Sequence, residues 1–445
     1  MAALPFAQAA EDGITFGFSG PETFPIDQAI SHLHAKDIDG DGLNDIIIVN
    51  NSRSRINVLY NQTGKTNVVA AMKNAKRELN ELPPDSRFRI DSIASEKRIA
   101  ALVVADLNRD KRPDLAYYGE PKELVVQYNT GSNGWTFPKR WPLEDGVLSP
   151  NALTTGDVNG DALPDLVLLG ENIIYVLLQQ KDGTLGEPDK IPFSGLVKSV
   201  QVLDIDGNGR DDLLLVNWDT PNPLRFRLQN KAGQLGPEIH FAMPPIRSYW
   251  SDDLDGDSKT EIMTIAQNSG RAAIANFTIT NAENLSGAFA MGQFQIMPLT
   301  KTTKAKRGTL FADINGDRLP DLIVSEPESG QLTIHLQNKD GSFADAKTSS
   351  TLTGVSDISV ADWDAQGNPS IFLLSGDERA IGVTRLDEKG KVAFPTMLPI
   401  DGKPLALALS SGRQDIKPTL AAILDQDGKR VLLTRTPEGE ARSQK

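Results

Sequence analysis

Carboxylate and amide side chains recur along this chain at one fixed spacing, in segments that resemble divalent-cation loops. The pattern is Asp-x-(Asp/Asn)-x-(Asp/Asn)-x-x-x-(Asp/Glu), and a run of β-branched residues or leucines follows it. Acidic side chains at positions 1, 3, 5 and 9 of one short loop repel one another unless a cation lies between them. Hard oxygen donors in this number are typical of calcium ligands, so calcium is the predicted cofactor.

Six complete copies of the pattern predict about six calcium sites. In each copy the residue at position 7 is expected to donate its backbone carbonyl oxygen, so its side chain is free to vary. The predicted ligands are Asp37, Asp39, Asp41, Leu43 and Asp45; Asp106, Asn108, Asp110, Arg112 and Asp114; Asp157, Asn159, Asp161, Leu163 and Asp165; Asp204, Asp206, Asn208, Arg210 and Asp212; Asp253, Asp255, Asp257, Lys259 and Glu261; and Asp313, Asn315, Asp317, Leu319 and Asp321. The alternative is six ordinary solvated turns, in which Asp is common. Six copies in one frame favour calcium.

Two further copies keep the spacing but lose carboxylates, and they are predicted to bind no cation. The seventh contains Asp362 and Asp364 and then Gln366 and Ser370. The eighth keeps only the frame of the pattern, across residues 411–419. The eight copies start at positions 37, 106, 157, 204, 253, 313, 362 and 411. They define a repeat of about four dozen residues with two insertions.

Composition excludes several classes of protein. The 445 residues contain 46 Lys and Arg against 59 Asp and Glu, a net charge of −13. Nucleic acid is therefore not an expected partner, because phosphate contacts require a basic face. The absence of cysteine rules out disulfides, thiolate metal sites and cysteine catalysis. No apolar stretch is long enough to predict a membrane span.

Short strands must hold the acidic loops. One strand precedes each loop, a second follows it, and a third comes after a polar turn, as in Leu102–Ala105, Asp165–Leu169 and Ile174–Leu178. A Gln-x-x-x-Gly turn such as Gln179–Gly183 then leads to a weaker fourth strand. Four strands per repeat predict an all-β fold, an eight-bladed β-propeller of four-stranded blades. Seven blades is the alternative if residues 411–419 do not belong to a blade.

The ends of the chain predict how the propeller closes. The last repeat shows three strands only, and residues 12–18 resemble the start of a fourth strand. We therefore expect the N-terminal strand to complete the last blade, which would leave no unpaired sheet edge. Residues 12–445 then form a single propeller domain. Residues 1–11 are either a residual export signal, with Ala7-Gln8-Ala9 as the cleavage-site remnant, or a disordered terminus.

Two insertions are predicted, at about 64–98 and 281–307. The first contains an amphipathic helix at residues 66–82, which either packs on the propeller or docks a partner. The second is expected to be an extended hairpin or loop.

Four aromatic and imidazole side chains form a possible ligand site. His32 and His34 lie on one face of a predicted strand, and Tyr249 and Trp250 lie in another repeat. They are candidates for a metal site or a sugar platform, and an ordinary channel lining is the alternative. The chain contains no Gly-x-Ser-x-Gly, Walker, Rossmann or His-Glu-x-x-His motif, so no catalytic residue is assigned and enzymatic activity is not expected.

The acidic loops resemble the FG-GAP/VCBS repeats of integrin-α-type β-propellers. The resemblance covers about residues 12–435, although the Phe-Gly element of that family has only a weak counterpart, in residues 16–21. It implies calcium between the first two strands of each blade, an extracytoplasmic location, and a non-catalytic role in adhesion, protein interaction or an exported assembly. Because calcium-loaded propellers also occur among polysaccharide lyases, a carbohydrate-active protein, lectin or lyase, with a glycan ligand is the alternative.

Overall fold

The computed structural model describes residues 24, 26–64, 86–131, 134–279, 292–304, 306–387, 390–410, 418–439 and 441–444. These ranges form β-strands and contain no α-helix. The chain divides into two compact units, Met1–Ile99 and Ala100–Lys445. No helix long and apolar enough to span a bilayer is found in the described ranges.

The strands form eight four-stranded antiparallel sheets, numbered here along the chain. Sheet 1 comprises β1 (Ile30–Lys36), β2 (Asp45–Asn50), β3 (Arg55–Asn61) and β4 (Phe88–Ala94). Sheet 2 comprises β5 (Arg98–Ala105), β6 (Asp114–Glu120), β7 (Glu123–Gln127) and β8 (Lys139–Pro142). Sheet 3 comprises β9 (Leu153–Gly156), β10 (Asp165–Leu169), β11 (Ile173–Leu177) and β12 (Asp189–Pro192). Sheet 4 comprises β13 (Ser199–Leu203), β14 (Asp212–Val216), β15 (Leu224–Arg227) and β16 (Ile239–Phe241).

The second half of the chain repeats this plan. Sheet 5 comprises β17 (Ile246–Asp252), β18 (Glu261–Ala266), β19 (Ala272–Ile279) and β20 (Gly292–Pro298). Sheet 6 comprises β21 (Thr309–Ala312), β22 (Asp321–Glu326), β23 (Gln331–His335) and β24 (Lys347–Ser350). Sheet 7 comprises β25 (Val355–Ala361), β26 (Ser370–Ser375), β27 (Ala380–Thr384) and β28 (Thr396–Met397). Sheet 8 comprises β29 (Lys403–Ser410), β30 (Thr419–Gln426), β31 (Lys429–Arg435) and β32 (Ala441–Gln444).

Every sheet pairs its strands in the order in which they follow one another in sequence. Eight such sheets are the blade complement of an eight-bladed β-propeller, so the predicted fold class is confirmed. The seven-bladed alternative is wrong, because β29 to β32 form a complete eighth sheet. The unit Met1–Ile99 contains sheet 1, and sheets 3 to 8 lie wholly in the unit Ala100–Lys445, where sheet 2 also has nearly all of its residues.

The second strand is the most buried element of sheets 2, 3 and 4. Every residue of β10 and β14 is buried, and both strands are continuous apolar runs because both faces of an inner strand are covered. In sheets 2 to 4 these strands share one apolar cluster, which includes Leu166, Leu168 and Leu213. Complete burial of each such leucine contributes about 1.5–3 kcal/mol. Because this packing holds the second strand in place, it also holds the last residue of each acidic loop, which is the first residue of that strand.

The last sheet corrects the prediction about closure. Its fourth position is filled by β32, in which Ala441–Gln444 pairs antiparallel with β31. The prediction that the last repeat lacks its own fourth strand is therefore wrong; the polar composition of residues 441–444 hid the strand. Residues 12–18, which were expected to fill that position, and residues 1–11 lie outside the described part of the chain.

Regular strands also occupy parts of the two predicted insertions. Within 64–98, β4 is the fourth strand of sheet 1 and pairs with β3 over seven residues. The proposed helix at 66–82 lies outside the described residues. Within 281–307, β20 pairs with β19 from Gly292 to Pro298. That pairing is an extended antiparallel hairpin, longer than the third and fourth strands of sheets 3, 4, 6 and 7.

Candidate metal centre

The acidic segments connect the first and second strands of their sheets, as predicted. We name them loop 1 (37–45), loop 2 (106–114), loop 3 (157–165), loop 4 (204–212), loop 5 (253–261), loop 6 (313–321) and loop 7 (362–370). Each begins within one or two residues of the end of the first strand, and its last residue is the first residue of the second strand. The strands therefore hold both ends of each loop.

All seven loops share one backbone conformation. The residues at positions 4 and 6 have positive φ in every loop: Gly40 and Gly42, Arg109 and Lys111, Gly160 and Ala162, Gly207 and Gly209, Gly256 and Ser258, Gly316 and Arg318, and Ala365 and Gly367. Left-handed backbone is readily adopted only by glycine, which explains its frequency at these positions. Two left-handed residues wind the chain tightly enough for alternate side chains to point inward.

The first aspartate organises the loop through its own backbone. In loop 3, Asp157 Oδ1 accepts hydrogen bonds from the backbone N–H groups of Gly160 and Asp161, and Oδ2 accepts one from Ala162. Position 5 then accepts from the backbone N–H of position 7, as between Asp161 and Leu163 at 3.0 Å. These bonds are Asx-turn contacts, which short polar side chains make in place of a backbone turn.

The acid at position 9 joins the loop to the rest of its sheet. Asp165 Oδ2 accepts from the backbone N–H of Val158 at 3.1 Å, and Oδ1 accepts from that of Gln179, beyond the third strand, at 2.8 Å. The same pair of bonds recurs at Asp45, Asp114, Asp212 and Asp321. The position-9 carboxylates and Glu261 in loop 5 are fully buried.

Burial and the negative charges of nearby loop acids disfavour ionisation of these carboxyl groups. Burial raises the pKa of Asp165 to about 7 and that of Glu261 to about 8, and neighbouring loop acids add to both shifts. Backbone N–H donors oppose the effect without cancelling it. Burial likewise raises the pKa of Asp206 to about 6 and holds that of Asp212 well above its usual range. A cation among these oxygens would reverse the balance.

Three loops bring side-chain oxygens close enough to share one ion. In each, three carboxylate oxygens lie within 4.8 Å of one another; the clusters are Asp37, Asp39 and Asp41; Asp204, Asp206 and Asp212; and Asp253, Asp255 and Glu261. Asp206 Oδ2 and Glu261 Oε1 are buried without a hydrogen-bond partner among the described residues. Carboxylate oxygens are the hard ligands that calcium takes, and the buried oxygens without partners fit ligand positions.

Loop 7 contains a side-chain cation at its centre. Its ninth residue is the fully buried Ser370. Arg385, one residue past the Ile371–Thr384 pair of the same sheet, donates from Nε to Ser370 Oγ at 3.0 Å, and its Nη2 lies 2.6 Å from Asp364 Oδ2. The hydrogen bond and charge of Arg385 lower the pKa of Asp364. Arg385 was not predicted as a loop partner from the sequence. The sequence shows only a basic residue fifteen positions after the serine that replaces the last acid.

Two complete loops also contain a basic side chain close to one of their acids. In loop 2, Arg112 Nη2 lies 2.5 Å from Asp110 Oδ2. In loop 5, Lys259 Nζ lies 4.0 Å from Asp257 Oδ2. Both basic residues occupy position 7, where sequence analysis expected only a backbone carbonyl. Residues 411–417, most of the eighth copy, lie outside the described part of the chain.

The four candidate ligand-binding residues lie in two compact units. His32 and His34 lie on β1 in the first unit, and Tyr249 and Trp250 lie on β17 in the second. A bulge between Ser31 and His34 interrupts the β1 register, and His32 has a φ of 53°. Both histidines are half-buried and Leu33 between them is exposed; a shared ligand site for them stays a prediction.

The β17 residues differ from each other in their surroundings. The hydroxyl groups of Tyr249 and Ser199 lie 2.7 Å apart, and burial raises the pKa of Tyr249. Trp250 is 62% exposed. A polar cavity of about 510 Å³ lies beside the same strand, with Thr154, Gln201 and Ser251 among its lining residues.

Comparison with known proteins identifies the repeats. The model of a family described as FG-GAP-like repeat matches residues 37–117, 106–168, 157–215 and 313–373, which together cover more than half of the chain. Protein FAM234B of Gallus gallus is 30% identical over 168 residues, which are 36% of this chain and 25% of the chicken protein. The chain therefore matches about a quarter of the length of that relative.

Solved structures with distant similarity include two lectins. One is from Agrocybe aegerita, described in recognition of non-reducing terminal N-acetylglucosamine; it is 16% identical, with a TM-score of 0.43, over 71% of this chain and 79% of the lectin. The BP39L lectin of Burkholderia pseudomallei is 15% identical, with a TM-score of 0.34, over 78% of this chain and 97% of the lectin. These similarities are too distant to bear on function.

Proposed function

The chain belongs to the FG-GAP-like repeat family, and from that premise we propose that it is a non-catalytic, calcium-stabilised β-propeller that binds a protein partner outside the cytoplasm. Calcium supplies the positive charge that the acidic loops need. The loop side chains bind and orient that charge, and the buried strands hold the loops at fixed spacing.

The observation that carries the calcium proposal is the set of crowded, buried oxygens in loops 4 and 5. Asp206 and Glu261 are buried, their pKa values are raised, and each has one oxygen without a hydrogen-bond partner in the described structure. An ionised carboxylate in that position is costly unless a cation is bound to it. Loop affinities in the range of about 10⁻⁴–10⁻³ M, as in extracellular modules, would fit a permanently calcium-rich medium.

The interaction role is inferred from what the repeats offer. A propeller of short strands presents many loops on a rigid frame, and such loops are where binding residues concentrate. The sequence contains no catalytic motif, which supports binding over turnover. A non-cytoplasmic location is part of the same proposal, because sites of affinity about 10⁻⁴–10⁻³ M fill only where calcium is abundant, whereas cytosolic sensors and buffers need tighter sites.

Metal content tests the proposal directly. We expect the purified protein to bind calcium and the double variant Asp204→Asn/Asp206→Asn to bind one ion fewer in a calorimetric titration. Asp189→Asn, an exposed acid on β12 outside the loops, is the matched control and should keep the full number of ions. A protein that binds no calcium at millimolar concentration would overturn the metal part of the proposal.

A partner-capture experiment tests the proposed protein-interaction role. The protein should retain a partner from an extracellular or envelope extract in calcium and release it in EGTA. Retention that is identical in both conditions would contradict a calcium-dependent interaction surface.

A second candidate function is glycan binding at β17. The observation that favours it is the exposed Trp250 on the strand that borders the polar cavity. Aromatic faces next to hydroxyl and amide groups are suited to a polyhydroxylated ligand. Trp250→Ala should abolish binding on a glycan array, whereas Phe137→Ala, which removes a more exposed ring (98% exposed) far along the chain, should not. Equal binding by both variants would exclude this site.

A further inference from the structure

Three sheets carry a Gln-x-x-x-Gly turn between their third and fourth strands, at the same end as the acidic loops. The turns are Gln179–Gly183 in sheet 3, Gln229–Gly233 in sheet 4 and Gln337–Gly341 in sheet 6. Each is closed by a bridge from the glutamine to a residue six positions on, as between Gln229 and Leu235. We refer to them as the Gln-Gly turns.

The glutamine side chain of each turn reaches the acidic loop of the preceding sheet. Gln179 Nε2 donates to the backbone oxygen of Asp106 at 3.0 Å. Gln229 Nε2 donates to that of Asp157 at 2.8 Å. Gln337 Nε2 donates to the side-chain Oδ2 of Asp255 at 2.7 Å. Two of the turns therefore bond the first backbone oxygen of loops 2 and 3, and the third bonds a carboxylate of loop 5.

The glycine of each turn lies against the same loop. A Cβ atom built on Gly183 would lie 2.5 Å from the carbonyl oxygen of Asn108, and one built on Gly233 would lie 1.8 Å from that of Asn159. Both partners occupy position 3 of their loops. Any larger residue would force the turn and the loop apart, so glycine is required here by close approach as well as by positive φ.

Further polar contacts close the same junctions. Arg109 Nη1 of loop 2 donates to the backbone oxygen of Lys181 at 2.8 Å. Lys259 Nζ of loop 5 donates to the backbone oxygen of Asp340 at 3.2 Å. In both cases a long basic side chain of the loop reaches the middle of the Gln-Gly turn. The junction between loop and turn is therefore bonded from both sides.

We infer that the Gln-Gly turn is the docking element that joins each of sheets 3, 4 and 6 to the acidic loop of the sheet before it, and that it responds to the cation in that loop. The first part stands on the contacts alone. The second part rests on the proposed calcium function. A cation that fixes the loop would fix the surface on which the next sheet packs, so loss of the cation would loosen the junction.

Glycine variants test docking without any metal. In EGTA, Gly233→Ala should raise the hydrogen-exchange rate of loop 3 by roughly tenfold, because local opening sets that rate. Gly428→Ala is the control: its φ is +82°, similar to the +73° of Gly233, but nothing lies within 4 Å of a Cβ at Gly428. Equal exchange in loop 3 for the two variants would overturn the docking role.

Gln229→Leu provides the milder test if Gly233→Ala does not fold. It keeps the volume of the side chain and the backbone N–H bond to Asp212, but it removes the Nε2 donor to Asp157 in loop 3 and to the backbone oxygen of Asp211 in its own sheet. We expect faster exchange in loop 3 and about tenfold weaker calcium binding at that loop, because the effect should resemble loss of a supporting outer contact at a metal site. Unchanged exchange and unchanged calcium affinity would refute the inference.

The outcomes separate this inference from the proposed function. If the wild-type protein binds calcium and Gln229→Leu binds it equally well, the turn does not sense the cation and the proposed function is unaffected. If the wild-type protein binds no calcium, the proposed function and the sensing both fail, and hydrogen exchange in EGTA still decides the docking role.

Discussion

Loop 4 and loop 7 follow the same backbone path but balance their charge in different ways. Both have positive φ at positions 4 and 6. In loop 4, carboxylate oxygens of Asp204, Asp206 and Asp212 lie within 4.8 Å of one another. In loop 7, Ser370 replaces the last acid, and the guanidinium of Arg385 bonds both Ser370 and Asp364.

The difference shows that one loop conformation accommodates either an acid or a serine at its last position. In loop 7, the hydrogen bond and charge of Arg385 lower the pKa of Asp364. In loop 4, burial and the charge of Asp204 raise the pKa of Asp206, although the charge of Arg210 acts in the opposite direction. Loop 7 is thus a built-in control for the complete loops, whose last residue is an acid.

Calcium removal should have the largest effect, because it acts on several loops at once and leaves loop 7 untouched. At a calcium concentration of ten times Kd, each occupied loop stabilises the fold by about 1.4 kcal/mol. We expect EGTA to lower the Tm by roughly 5–10 °C for a chain of this size. Scanning calorimetry measures the shift, and added calcium should restore it. An unchanged Tm after confirmed metal removal would contradict the proposal that calcium stabilises the complete loops.

Loss of a position-9 acid should have the next largest effect. Asp165→Ala leaves the buried N–H groups of Val158 and Gln179 without their acceptor, at a cost of about 3 kcal/mol. Ser370→Ala in loop 7 removes a single bond to Arg385 and should cost about 1 kcal/mol. Denaturant unfolding in EGTA measures both without any metal contribution. Equal losses of unfolding free energy in the two variants would show that the acid at position 9 stabilises its loop no more than the serine of loop 7 does.

The raised pKa values predict a pH dependence with a definite sign. Folded-state pKa values of about 7 for Asp165 and about 8 for Glu261 lie above those of the unfolded chain, so the folded state holds more protons. Stability without calcium is therefore greatest below about pH 4 for these groups and falls as pH rises towards 8. Tm measured against pH in EGTA should show the fall, and saturating calcium should reduce it. A rise in Tm over that range without calcium would contradict the shifts.

Removal of Arg385 should have a smaller effect that does not depend on calcium. Arg385→Met breaks a partly exposed ion pair, worth about 0.5 kcal/mol, and the hydrogen bond to the buried Ser370, worth about 1 kcal/mol. Because loop 7 is expected to bind no ion, the loss should be the same in calcium and in EGTA. A loss that appears in only one of the two conditions would show that loop 7 takes part in metal binding.

Loop 7 can also be converted into a complete acidic loop. The triple variant Gln366→Asp/Ser370→Asp/Arg385→Leu restores the acids of the complete loops and removes the internal cation. We expect it to bind one more calcium ion than the wild-type protein in a calorimetric titration. Ser370→Asp alone is the control, because Arg385 should then pair with the new acid and keep calcium out. No additional ion in the triple variant would show that more than charge distinguishes loop 7.

The loops and their sheets were predictable because their signals are local. A nine-residue frame followed by an apolar strand, as in loop 3 and β10, lies within one short window of sequence. Strands without apolar character were missed, as with Ala441–Gln444 in β32. The fourth strand Phe88–Ala94 fell inside a predicted insertion because a long polar segment separates it from β3.

Contacts between distant positions could not be predicted. Arg385 follows Ser370 by fifteen residues, and only the strand register brings the two together. Gln229 and Asp157 are 72 residues apart and meet because two sheets pack side by side. The Gln-Gly motif was visible in the sequence, but nothing in its composition indicated which loop it contacts. The bulge between Ser31 and His34 in β1 was likewise not visible in the spacing of residues.

The order of the strands has a consequence for how the chain acquires its structure. Every named strand pairs only with strands adjacent to it in sequence, so each hairpin needs only a short segment to close. Such low contact order favours fast, stepwise formation of successive units, as in repeat proteins. A nascent chain could complete one sheet before the next is synthesised. Only one face of the most recently formed sheet would then lack a packing partner.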